Sequence, residues 1–196
     1  MVRDYIQENL VHTGRTIIKE KGAEFLTARK LSEASGYSVG TIYNQFGNMD
    51  NFILIQNYLT LDALYHRFLK INTDSAYERL NQYINVFAEF VMENRNFWFM
   101  IFNFHLKQSE RSFSMTYLRR ISTMISLIEK GFKDLYPELK VEKRHVCVQV
   151  LWISLFGLSA LLTTSSVEKY SKIEQTKLCK FLLNTYLTGI KVLEKI

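Results

Sequence analysis

The sequence predicts an all-α protein, with a head of three short helices followed by a body of about six long ones. Three observations carry that expectation. Apolar residues recur at helical spacing along almost the whole chain. The 196 residues include one Pro and eight Gly, few of the two residues that interrupt helices. No succession of strand-length segments alternates apolar with polar residues. With 47% hydrophobic residues, the chain can bury a sizeable core.

A first helix fits residues 3–21, with Ile6, Leu10, Thr13 and Ile17 on one side. Gly22 stops it, and Lys19 and Lys21 in its last turn suit the negative end of the helix dipole. Thr27 caps a short second helix ending near Ser35, Gly36 and Tyr37 turn the chain, and Ser38 caps a third ending near Phe46. Gly47 and Asn48 form another turn, with Asn48 capping a fourth helix and Asp50 in its first turn. That helix is expected over about 49–71, with two apolar stripes: Phe52, Ile55, Leu59 and Ala63, then Leu54, Tyr58, Leu61, Tyr65 and Phe68. A helix apolar on two sides packs on two sides, as a connector between head and body would. Breaks at 72–75, 94–96, 107–112, Tyr136–Pro137 and 163–169 delimit five more helices, near 75–93, 96–106, 112–135, 138–163 and 168–194.

The opening MVRDYIQENL lacks the pattern of a secretory signal. Residues Val146 to Leu162 are the most apolar stretch, but 17 residues sit at the short limit for a membrane span. They read as a buried helix, and no membrane partner is expected. Cys147 and Cys179, far apart, read as free thiols of a cytoplasmic protein. His145 and Cys147 are too few for a metal site, and His12, His66 and Cys179 add no ligand spacing. Neither a phosphate-cradling Gly loop nor a G-x-S-x-G elbow is present. The expectation is a protein without cofactor or metal that is not an enzyme. Abundant Lys, Ile, Asn and Tyr suggest an AT-rich, bacterial genome.

The net charge of +6 is unevenly placed. Residues 1–50 carry six basic and six acidic side chains, and residues 51–106 carry four and five. The surplus lies in residues 107–144, with nine and five, and in 145–196, with six and three. Bulk charge is therefore no reason to assign nucleic-acid binding to the N-terminus.

The reason is local. Two short helices joined by a three-residue turn containing Gly form a helix-turn-helix pattern, whose second helix enters the major groove. Leu31, Ala34, Ile42 and Phe46 can turn inward against Ile17 and Phe25. Ser38, Thr41, Tyr43, Asn44 and Gln45 then face outward, and Gly40 leaves room for close approach to a duplex. Yet YSVGTIYNQFGNMDNF, residues 37–52, contains no Lys and no Arg.

The stretch KEKGAEFLTARKLSEASGYSVGTIYNQFGNMDNF, residues 19–52, resembles the N-terminal domain of the TetR family of transcriptional regulators. Gly22, Thr27, Arg29, Leu31, Ala34, Gly36, Ser38, Gly40, Thr41, Ile42, Tyr43, Phe46, Asp50 and Phe52 match that pattern without gaps. The resemblance implies a DNA-binding domain at 1–47 and an effector-binding and dimerisation domain at 48–196. It implies that Thr27 and Tyr43 bond phosphates, that Ser38 caps and touches phosphate, and that Arg29, Thr41, Asn44 and Gln45 face bases or nearby backbone. Those residue types suit the tasks: Asn and Gln match adenine, Arg matches guanine, and hydroxyls serve phosphate. One departure stands out. Met49 occupies a position where the family usually has a phosphate-binding Lys. Helix N-termini, Arg29, Lys30 and Arg3 would have to compensate. The neutral head and Met49 also fit an alternative, a dimeric helical protein of this fold that acts through protein contacts alone.

The body carries an aromatic cluster of Phe87, Phe90, Phe97, Trp98, Phe99, Phe102 and Phe104. Residues 97–104 are apolar almost all round, so a buried helix is expected there. The resemblance implies an effector cavity in this region. Phe90, Met100, Phe104, Met115, Tyr117, Trp152 and Phe156 are the lining candidates, for a small apolar or aromatic effector, with Asn103 and His105 as polar anchors. It also implies a homodimer built from the last two long helices. Leu155, Gly157, Ser159 and Ala160, with Phe181, Leu182, Tyr186, Ile190 and Leu193, are the interface candidates. An effector preferring a body shape that splays two heads would release double-stranded DNA, with the fourth helix as lever.

Overall fold

The computed structural model describes residues 2–106, 113–163 and 175–193. Among them are nine α-helices and no strand, as the sequence predicts. In chain order they are α1 (Val2–Lys21), α2 (Ala28–Ser35), α3 (Val39–Phe46), α4 (Met49–Phe68), α5 (Ala76–Glu93), α6 (Arg95–Leu106), α7 (Met115–Leu135), α8 (Val141–Thr163) and α9 (Gln175–Leu193). Residues Ala23–Phe25 form a single 3-10 turn after α1.

Some boundaries shift for visible reasons. α4 stops at Phe68 rather than 71, because Lys70 and Ile71 bond back three residues, to the carbonyls of Arg67 and Phe68. α8 begins at Val141 rather than 138, because Leu139 N–H first closes a turn onto the Tyr136 carbonyl at 3.1 Å. The expected starts of the seventh helix at 112 and the ninth at 168 lie outside the described residues, as do the side chains of Arg3 and Leu193.

The helices divide into two compact units. The first contains Met1–Asp62 and Asn94–Leu118, and the second contains Ala63–Glu93 and Arg119–Ile196. In the first unit, Leu10, Ile17, Ile18, Leu26, Leu31, Ile42, Phe46, Phe52, Phe97 and Met100 form one core. α6 thus contributes to the core beneath the helix-turn-helix. Asn96 holds it to the end of α1, donating to the Ile18 and Lys19 carbonyls at 3.1 and 3.2 Å. Two expected core residues are exposed instead: Ala34, and Phe25 at 46%. The 3-10 turn aims Leu26 inward in place of Phe25.

The middle of α4 departs most from its apolar pattern. Gln56, Asn57 and Thr60 are completely buried, among residues that the two stripes leave out. Arg15 of α1 answers part of that polarity, reaching the Gln56 carbonyl at 3.2 Å and the Thr60 hydroxyl at 3.3 Å. Its guanidinium lies 4.1 Å from the Phe97 ring centroid. Gln56 donates to the Val11 carbonyl at 3.0 Å. Gly14 permits the approach, since a Cβ there would fall 2.7 Å from the Phe52 ring.

In the second unit α5 packs against α8 and α9. Leu80, Ile84, Phe87 and Val91 of α5 are buried, with Val148, Leu151 and Leu155 of α8 and Cys179, Leu183 and Leu187 of α9. α8 is not the wholly buried helix expected. By length and composition it would suffice to cross a membrane, yet only one face packs inside the protomer. Val146, Val150, Ile153 and Leu161 point outward, with Ile153 68% exposed. α6 is likewise incompletely covered, with Phe99 exposed and Phe102, Asn103 and Phe104 half-buried.

Candidate nucleic-acid interface

Local hydrogen bonds build the helix-turn-helix. The Thr27 hydroxyl accepts from Lys30 N–H at 3.2 Å and starts α2. Gly36 ends α2 in the left-handed region, with φ 76°. The turn is tied back by the Ser32 hydroxyl, which donates to the Tyr37 carbonyl at 2.7 Å. Ser38 accepts from Thr41 N–H at 3.1 Å and starts α3. Gly47 ends α3 at φ 77°, and the Asn48 side chain accepts from Asn51 N–H at 2.8 Å to start α4.

This geometry fixes which face of α3 is free. Ile42 and Phe46 are buried, and Phe46 meets Phe52 edge-on at 4.8 Å. Ser38, Gly40, Tyr43 and Asn44 are exposed, and Thr41 and Gln45 half-exposed. Thr27 and Arg29 are also exposed. The Ser38 and Thr41 hydroxyls lie 2.9 Å apart, so one bonds the other in the free protein. A Cβ on Gly40 would meet nothing nearer than the Ser38 hydroxyl at 3.6 Å, so the start of α3 is open. The surface offers hydroxyls, amides and a phenol, with cations only on α2. Met49 is half-buried and packs against the head's core, a role a lysine ammonium would fill poorly.

Sequence reasoning missed Glu33, whose carboxylate binds Arg29 Nε at 3.0 Å and Lys30 Nζ at 2.9 Å. Lys30, then Arg29, hold its carboxyl below the ordinary 4.5. The signal was available: Glu33 lies three and four residues after the two cations on one helix.

The effector-lining candidates fall into two groups. Phe90, Trp152 and Phe156 lie in the second unit, where Trp152 faces Phe87 at 6.5 Å. Met100, Phe104, Met115 and Tyr117 lie in the first. There Met100 belongs to the core under the helix-turn-helix, and Met115 is 72% exposed. Tyr117 is fully buried, stacks on Phe113 at 5.6 Å, and its hydroxyl lies 2.9 Å from His105 Nε2. Burial lowers the His105 pKa below 6.5 and raises that of Tyr117. Gln56 and Asn57 are absent from that list, yet both are buried, and Gln56 Oε1 and both Asn57 amide atoms have no hydrogen-bond partner among the described residues. Their position inside α4, between apolar neighbours, gave no sequence signal.

The dimer-interface candidates divide by burial. Leu155, Ser159 and Ile190 are already buried within the protomer, and Leu182, Tyr186 and Ala160 are half-buried. Tyr186 donates to the Cys147 carbonyl and meets Phe132 edge-on. Gly157 and Phe181 face outward, Phe181 at 75% exposure. The outward row on α8 is Val146, Val150, Ile153, Gly157 and Leu161, in steps of three and four. Among the described residues no group of three or more His, Cys, Asp or Glu could hold a metal ion.

Among the described residues the chain is all-helical, and its N-terminal helix-turn-helix presents the polar face of α3 to solvent. Residues 10–54 match the family described as bacterial regulatory proteins, tetR family. The whole fold agrees with solved structures. A Rhodococcus sp. RHA1 protein of unknown function superposes with TM-score 0.72 at 12% identity, over 94% of each chain. Thermus thermophilus FadR, a TetR-family repressor in complex with lauroyl-CoA, superposes with TM-score 0.70 at 15% identity, over 93% of each chain. Bacillus subtilis FadR in complex with stearoyl-CoA gives 0.66 at 14% identity, over 93% of this chain and 98% of that one. A comparison with curated proteins finds no match. Residues 10–54 thus match the DNA-binding segment of the tetR family, and the helices follow the fold of solved TetR-family regulators.

Proposed function

We propose that the protein is a dimeric, effector-responsive transcriptional repressor of the cytoplasm, reading a near-palindromic operator. The observation that carries this is the split of α3: Ile42 and Phe46 inward, and Ser38, Gly40, Thr41, Tyr43, Asn44 and Gln45 toward solvent. Residues 1–47 act as the DNA-binding domain and 48–196 as the effector and dimer domain. Thr27, Ser38 and Tyr43 bond phosphates, while Arg29, Thr41, Asn44 and Gln45 lie at base edges or the adjacent backbone. A twofold site needs two heads a helical turn or a multiple of it apart. The outward apolar rows of α8 and α9 support a second copy as the partner. A would-be Cβ on Gly157 or Gly189 meets nothing within 4 Å, so those backbones are open to close approach.

The effector is apolar. The acyl-CoA complexes of the two FadR proteins make long-chain acyl-CoA the first class to try. Phe90, Trp152 and Phe156 are the retained lining residues. Binding that favours one body shape shifts the spacing of the two heads and so releases DNA. The test is selection of bound duplexes from a randomised pool. A twofold-symmetric sequence should be enriched, and lauroyl-CoA should elute it. Enrichment of no sequence would favour the reading in which this fold acts through protein contacts.

A further inference from the structure

The first fifty residues carry six basic side chains, and their placement leaves few for DNA. Arg15 turns into the interior of the first unit, and its burial lowers its pKa. Lys19 and Lys21 close α1. α3 has no cation at all. The cations on the helix-turn-helix itself are Arg29 and Lys30, side by side in the first turn of α2. Both are held by one carboxylate: Glu33 Oε1 accepts from Arg29, and Oε2 accepts from Lys30. All three side chains are solvated, at 87%, 54% and 47% exposure for Arg29, Lys30 and Glu33.

We propose that Glu33 is an affinity-limiting residue that holds, in the free head, the two cations of the helix-turn-helix away from phosphates. This rests on the DNA-binding reading above. With Glu33 ionised, the exposed end of α2 carries a net charge of +1 rather than +2. Exposed ion pairs are weak, so a phosphate can displace the carboxylate. The displaced charge remains close to the DNA and opposes it. Binding to arbitrary DNA depends almost wholly on such charge, whereas the hydroxyl and amide contacts of α3 do not. Glu33 therefore suppresses random binding more than operator binding, and the operator is distinguished by the polar face of α3.

The test uses the full-length chain and a duplex of arbitrary sequence, titrated over a series of salt concentrations. Four proteins are compared: native, Glu33→Gln, the Arg29→Ala Lys30→Ala pair, and all three substitutions together. Gln keeps the helix and, at an exposed site, should leave the melting temperature unchanged. Glu33→Gln should tighten random binding roughly fourfold at about 0.1 M salt, as expected when two weak exposed ion pairs no longer compete with phosphate for Arg29 and Lys30. The slope of log affinity against log salt should steepen by about one unit. In the absence of Arg29 and Lys30, the gain should fall below about twofold, since the pairs through which Glu33 acts are gone. Unchanged or weaker binding by Glu33→Gln, or an undiminished gain without the two cations, would overturn the inference. Failure of the native protein to bind any duplex, selected or random, would instead sink the DNA-binding reading and this inference with it.

Discussion

The helix-turn-helix and the outer face of α8 and α9 are both exposed surfaces, and they are specified in opposite ways. The first is set by contacts within a few residues: Thr27 to Lys30, Ser38 to Thr41, Gly36 and Gly47 in left-handed turns. Every polar side chain on α3 is placed once those caps are placed. The second has no local marker. α8 is apolar on most of its circumference, and its exposed side is whatever α5 leaves uncovered. A polar surface can be addressed by neighbours in sequence, whereas an apolar one is defined by neighbours in space.

The largest effect that would break this contrast comes from charging the apolar face. Ile153→Asp should convert the protein to a single copy by analytical ultracentrifugation, and weaken operator binding by about 100-fold or more through lost bivalency. A dimer that survives this change would remove α8 from the interface. Next, Asn44→Ala should weaken operator binding by about 1–3 kcal/mol while leaving random duplexes almost untouched. Equal losses on both would make Asn44 a backbone contact. Thr27→Ala removes the α2 cap and should lower unfolding free energy by about 1 kcal/mol in a denaturant titration. Met49→Lys should steepen the salt dependence of binding by about 0.9 unit per added phosphate contact. An unchanged slope would show that Met49 sits away from the DNA backbone.

A smaller, pH-dependent effect comes from His105, which belongs to neither surface. Burial holds its pKa below 6.5 in the folded protein. The unfolded chain therefore binds the proton more readily. No penalty exists well above pH 6.5, and stability is lost as pH falls through that value. Melting curves should show a drop between pH 7.5 and 5.5 that His105→Gln reduces. Identical pH profiles for the two proteins would contradict this.

What the sequence conveyed follows the same division. The caps, the glycine turns and the inward pair Ile42 and Phe46 were legible because each depends on local spacing. Phe25 is exposed because the 3-10 turn buries Leu26 in its place, and on α2 it is Leu31 that is buried, with Ala34 left on the solvent side. The burial of Gln56, Asn57 and Thr60 was invisible, because it depends on Arg15 and Phe97 arriving from α1 and α6. On α8 and α9, an apolar stripe was recognised but its phase was not. Leu155, Ser159 and Ile190 went to the core, while Val146, Val150, Ile153 and Val192 went to the surface. Amphipathic pattern gives phase only where polar residues mark the opposite side, and α8 has too few of them.

The central claim is that a head with no cation on its recognition helix still reads DNA by sequence. Fluorescence anisotropy of the purified chain against duplexes tiled from the DNA flanking its own gene, at two salt concentrations, tests it most directly. Nanomolar-range binding to one near-palindromic tile is expected, persisting at the higher salt while binding to the other tiles is lost. Weak binding of equal strength on every tile, vanishing together as salt rises, would contradict it.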